Sequence, residues 1–136
     1  MRPCEESVRP RIRTLVGTAV VAAALLAIPA PAMAKDGDVI RTGDCSGRAD
    51  WKIKVSPEKG RLEVEFEVDA NRAGQTWRVR IWDDGVLRYN SLKTTKAPSG
   101  SFTARDVMRN MAGTDNIVAR ARNVNSGQVC VAKVSF

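Results

Sequence analysis

Residues 62–69 read Leu-Glu-Val-Glu-Phe-Glu-Val-Asp, four apolar residues each followed by an acid. A strand sends successive side chains to opposite faces, so as a strand this stretch buries Leu62, Val64, Phe66 and Val68 on one side and leaves every acid on the other. Wound into a helix, it would spread its acids around the axis and into any core. The same period of two runs on either side of it. Trp51, Ile53 and Val55 alternate with Lys52 and Lys54, and Trp77, Val79 and Ile81 with Arg78, Arg80 and Trp82. Ile117, Ala119 and Ala121 alternate with Val118, Arg120 and Arg122, and Cys130, Ala132, Val134 and Phe136 close the pattern. Turn-forming clusters punctuate these runs: 57–60 (PEKG), 70–75 (ANRAGQ), Asp84-Gly85, 97–100 (APSG), 112–115 (AGTD) and 125–127 (NSG). The pattern predicts seven strands, at about 50–56, 61–69, 76–83, 86–92, 101–108, 116–123 and 128–135. Seven short strands in about 100 residues predict an all-β fold, a single antiparallel two-sheet sandwich. The one stretch with helical propensity, 104–112, is short and falls where a strand runs into a loop.

The chain ahead of the first strand reads differently. Arg2, Arg9, Arg11 and Arg13 precede an uncharged run at 15–28, followed by Pro-Ala-Pro-Ala-Met-Ala with Ala32 and Ala34 in cleavage-site spacing. That order is a secretory signal peptide, 1–34, removed after Ala34. Its apolar run would span about 21 Å as a helix, short of a hydrocarbon core of about 30 Å, so no membrane span is expected in the mature protein. Residues 35–49 are polar and rich in Gly and Asp and are read as an extended lead-in; the sandwich domain follows at 50–136. The full chain has 22 Lys+Arg and 15 Asp+Glu. Removing the signal's four Arg and two Glu leaves 18 against 13, a charge of +5. Cys4 leaves with the signal, so Cys45 and Cys130 remain, and in a secreted or cell-wall-associated protein an even pair predicts one disulfide.

Asp115-x-Ile117-x-Ala119-x-Ala121 resembles the Asp-x-Tyr-x-Cys pattern of the sixth strand of immunoglobulin domains, and Trp77 stands on the third strand, where those domains keep a buried Trp. Ile117 replaces the corner tyrosine and Ala119 the cysteine, so the resemblance implies an immunoglobulin-like sandwich over 51–136 without the usual inter-sheet disulfide. It implies no function. The signal and the WKIKV, WRVRIWDDG and AGTD segments also resemble small exported actinobacterial proteins of uncharacterised function.

The absence of His excludes Ser-His and Cys-His catalytic pairs and His-ligated metals. Ser91, Ser99, Ser101 and Ser126 therefore lack a base. Glu63, Glu65 and Glu67 share one face of one strand and cannot flank a sugar from two sides of a cleft. No enzyme activity is expected. Asp36-x-Asp38 and Asp83-Asp84-Gly85 offer oxygen ligands but fall short of a calcium loop's ligand count, and Asp84-Gly85 is accounted for as a turn, so neither a metal nor another cofactor is expected. If Trp77 and Ile117 face the core, Arg78, Arg80, Arg120 and Arg122 point outward from neighbouring strands together with Trp82. Guanidinium forks suit carboxylate and phosphate oxygens, so these five residues are the candidate binding site, with an anionic cell-envelope or extracellular polymer as partner. Nucleic acid is not expected, because outward aromatics are too few for base stacking. The alternative is a protein-interaction or enzyme-inhibitor domain presenting loop 71–75 or loop 123–128 to another extracellular protein.

Overall fold

A computed structural model describes residues 34–136; apart from Ala34, the signal-peptide segment and Cys4 lie outside the described residues. Eight strands form where seven are expected: β1 (Val39–Asp44), β2 (Asp50–Glu58), β3 (Arg61–Asp69), β4 (Thr76–Asp83), β5 (Val86–Thr94), β6 (Ser101–Arg109), β7 (Asn116–Asn123) and β8 (Val129–Ser135). The additional strand, β1, lies in the segment read as an extended lead-in. Val-Ile-Arg-Thr-Gly-Asp carries no apolar alternation of its own, and β1 is mostly exposed. Its structure comes from pairing along β2, from Val39 opposite Val55 to Asp44 opposite Asp50, so a partner rather than a pattern makes it a strand. Segment 104–109, despite its helical propensity, completes β6 by pairing with β3.

Two four-stranded antiparallel sheets result, ordered β1-β2-β3-β6 and β5-β4-β7-β8. Hairpins link β1 to β2, β2 to β3, β4 to β5 and β7 to β8 within a sheet; β3–β4, β5–β6 and β6–β7 cross between sheets. Two of the hairpins turn on two residues with positive φ, Lys59-Gly60 (49° and 76°) and Asp84-Gly85 (46° and 78°). That geometry matches the right-handed twist of the strands it joins. The inner faces carry the alternating apolar rows. Ile53, Val55, Leu62, Val64, Phe66 and Val68 from one sheet meet Trp77, Val79, Ile81, Ile117, Ala119 and Ala121 from the other, all buried. Trp77 reaches across the interface to Phe102 of β6, ring centroids 6.2 Å apart. Among the described residues no helix is long and apolar enough to cross a membrane.

Cys45 and Cys130 are bonded, with Cα atoms 4.2 Å apart. Around the bond, Ser46 N donates to Val129 O at 2.8 Å and Val129 N donates to Ser46 Oγ at 2.9 Å. The segment after β1 is thereby fastened to β8, which belongs to the other sheet.

Candidate binding face

The register of β4 on β7 places Arg78 opposite Arg122 and Arg80 opposite Arg120. Inward-facing Trp77, Val79 and Ile81 leave Arg78 and Arg80 outward, and Ile117, Ala119 and Ala121 do the same for Arg120 and Arg122. Reading across the outer face, one row is Leu92, Arg78, Arg122 and Val129, and the next is Asn90, Arg80, Arg120 and Val131. Neither row contains an acid. Directly opposed like charges destabilise a strand pair. Among the described residues no carboxylate lies within salt-bridge distance of these four arginines. Arg78 Nη1 donates to Asn90 Oδ1 at 3.4 Å, a long and weak bond. The four guanidinium-bearing chains line one hollow of about 290 Å³ together with exposed Val124.

Trp82 is half-buried in the next row, between Leu87 and Val118, and does not line that hollow. On the β5 side the pairing skips Arg88 between Ile81–Tyr89 and Trp82–Leu87, while the β4–β7 register runs on unbroken. The structure therefore brings together four of the five candidate residues and sets Trp82 apart.

The opposite sheet shows what compensated charge looks like in this fold. Lys54 stands between Asp38 (3.7 Å) and Glu65 (3.8 Å), Lys52 faces Glu67 at 3.9 Å, and Arg105 pairs with Glu63 and Glu65. The Arg105 hydrogen bond holds the Glu63 carboxyl below its ordinary 4.5. The acidic row is thus matched by cations on both neighbouring strands. On the same sheet, Trp51 lies over Gly43 and donates its Nε1–H to Asp44 O at 3.1 Å, beside a hollow of about 470 Å³ whose walls include Asp44, Asp50, Glu67 and Asp69.

The two candidate loops meet at one end of the sandwich. Asn123 Nδ2 donates to Gln75 Oε1 at 3.3 Å and Val124 N donates to Thr76 O at 3.0 Å. Asn123 Oδ1 accepts from the backbone of both Asn125 and Ser126, which fixes the shape of the second loop.

At the far end of the same strands Asp83, Asp84 and Asp115 converge. The acids of the first pair are visible in sequence as a turn; Asp115 joins them only through the pairing of β4 with β7. No protein-family model matches the sequence, and no curated protein and no solved structure matches it.

Proposed function

We propose that this chain is an exported, non-catalytic binding module, an immunoglobulin-like sandwich of the kind found in small exported actinobacterial proteins, and that Arg78, Arg80, Arg120 and Arg122 hold an anionic envelope or extracellular polymer. One observation carries the reading: four arginines share one hollow with no carboxylate within salt-bridge distance, while Glu63, Glu65 and Glu67 on the outer face of the other sheet are paired with cations. Opposed arginines cost stability unless an anion offsets them, and their planar forks match carboxylate and phosphate oxygens two bonds at a time. The strand order, with β4 beside β7 and three crossings between the sheets, supports the immunoglobulin-like label. The disulfide suits an oxidising compartment, which supports export.

The test is co-sedimentation with purified cell wall, and titration with polyphosphate and with a polyuronate, at two salt concentrations. Replacing Arg80 and Arg120 together with Ser should weaken retention by well over tenfold, because charge-assisted bonds contribute about 1.5–3 kcal/mol each. Replacing Glu63 and Glu65 with Gln should leave it intact. Equal retention of the wild type and the double-Ser variant rejects the face. A second reading, a protein-interaction or inhibitor domain, draws on the hydrogen-bonded meeting of loops 71–75 and 123–128. Binding through those loops should persist at high salt, whereas polymer binding should fall steeply.

A further inference from the structure

The inward parity of β4 runs Trp77, Val79, Ile81 and then Asp83; that of β7, read back from Ala121, runs Ala119, Ile117 and then Asp115 just ahead of the strand. Two adjacent apolar rows therefore each end in an acid that points into the same end of the sandwich. Asp83 is 1 % exposed and Asp115 fully buried. Neither oxygen of Asp83 has a hydrogen-bond partner, nor has Oδ2 of Asp115. Oδ1 of Asp115 accepts from Met111 N at 3.2 Å. A carboxylate pair buried without partners is among the costliest arrangements a small domain can hold, and such groups are normally paired, protonated or bound to a metal.

A third carboxylate is built into the same place. Asp84, exposed in the β4–β5 turn, is held by Asn116, whose backbone N (3.1 Å) and Nδ2 (2.9 Å) both donate to Asp84 Oδ1. Asp84 N donates in turn to Asn116 O at 3.0 Å. One oxygen from each of Asp83, Asp84 and Asp115 lies within 4.8 Å of the others. Two ligands on opposite sides of a calcium ion are about 4.6–5.2 Å apart, twice the usual Ca–O distance, so these oxygens fit one coordination shell. Among the described residues Arg88 is the cation acting on Asp83, and it forms no ion pair with it. One proton would neutralise one of the three carboxylates. A divalent ion offsets two charges and takes one oxygen from each of the three carboxylates.

We propose that Asp83, Asp84 and Asp115 form a binding site for a hard divalent cation of the calcium class, which ties the β4–β5 turn to the segment preceding β7. The donor set is oxygen alone, with no nitrogen or sulfur, which selects calcium-like over transition-metal ions. Exposed Asp84 marks the entry side, where water completes the shell. Three protein carboxylates with an open side resemble extracellular modules in ligand count, which bind calcium at about 0.1–1 mM. The site uses the inner face and one end of the sheet, so it is independent of the arginine hollow on the outer face.

The experiment is thermal unfolding of the protein in EDTA, in 10 mM CaCl2, and in NaCl of matched ionic strength, with calorimetric titration of CaCl2. Calcium should raise Tm by about 5–10 °C over the NaCl control, the shift expected for a ligand present at about ten times its dissociation constant. Asp83→Asn and Asp115→Asn should abolish the rise. Asp84→Asn is exposed, tolerates the positive φ and keeps the Asn116 contacts, so it should fold normally and need about tenfold more calcium for the same shift. Should the buried variants fail to fold, Asp84→Asn decides. No rise beyond the NaCl control, or the same rise in the wild type and in Asp84→Asn, overturns the site. The first result would mean that the buried carboxyls keep protons instead.

Discussion

Trp77 tests the core and the strand register together. Its side chain is fully buried between the sheets against Phe102, and its indole Nε1–H has no acceptor. A buried Trp removes roughly 200 Å² from water, which at about 25 cal/mol per Å² corresponds to roughly 5 kcal/mol of transfer energy. Trp77→Ala loses most of that and leaves a cavity, and should cost about 3–5 kcal/mol. Trp77→Phe behaves differently. Replacing the two-ring indole by one phenyl ring forfeits roughly 1 kcal/mol of burial and leaves part of a cavity. It also removes an unsatisfied buried donor, whose burial costs about 1–3 kcal/mol. These effects nearly cancel, so Trp77→Phe should lie within about 1 kcal/mol of the wild type. Urea unfolding followed by circular dichroism measures both, and an unchanged m-value shows that the difference belongs to stability. A Phe variant as damaged as the Ala variant would mean that the Nε1–H has an acceptor in solution. A mild Ala variant, below about 1 kcal/mol, would put Trp77 on the outer face and dissolve the arginine row with it, because a one-residue slip exchanges the faces.

Further outcomes follow from other parts of the structure. Alkylation of denatured, non-reduced protein should label neither Cys45 nor Cys130, and reduction should cost about 2–5 kcal/mol in urea unfolding. Gly100→Ala should cost well over about 2 kcal/mol, because its φ is +75° and an added Cβ would run into the backbone of Asn71 and Arg72; Gly74→Ala, with φ +83° but open space, should cost only about 1 kcal/mol. Burial, then Asp115 and Asp84, raise the Asp83 carboxyl above its ordinary 3.8, and Arg88 opposes them only weakly. The native state therefore holds that proton more tightly than the unfolded chain, and calcium-free stability should fall as pH rises through the folded value. Glu63 has the opposite sign: lowered by Arg105, it contributes stability above its ordinary 4.5 that is lost on acidification. Melting curves in EDTA taken upward from the ordinary 3.8 should show the Asp83 slope in the wild type and lose it in Asp83→Asn.

Six of the eight strands, β2 to β4 and β6 to β8, are legible because each carries its own apolar row, and a row of period two specifies both the strand and the face it buries. By contrast, β1 carries no row and owes its structure to β2, so local pattern could not reveal it. β5 shows the intermediate case: as a sheet edge it is largely exposed, its pattern is mixed, and its reading stopped short of Thr94. The arginine cluster was legible for the same reason as the strands, since parity sets the outward side and strand neighbours follow from the sandwich order. Trp82 has that parity too, yet it is half-buried, and beside it the β4–β5 pairing skips Arg88. A bulge of one residue is invisible to an alternation count.

The acid cluster shows where such reading stops. Asp83 and Asp115 each have the parity of a core residue, and a count of inward positions places both inside. What sequence spacing does not supply is that the two row ends lie side by side. That follows from β4 pairing with β7, in which Asp83 stands opposite Ile117 and Asp115 lies two residues beyond it. Seen alone, Asp83-Asp84-Gly85 is a sufficient turn and an insufficient metal loop. With Asp115 added it becomes three convergent carboxylates, two of them buried at the end of an otherwise apolar interior. An apolar residue at either inward position would extend the core at lower cost, as Ile81 and Ile117 do one step earlier on each strand. Two acids there, both with unpartnered oxygens, are therefore better explained by a ligand than by packing, and calcium-dependent melting decides between them.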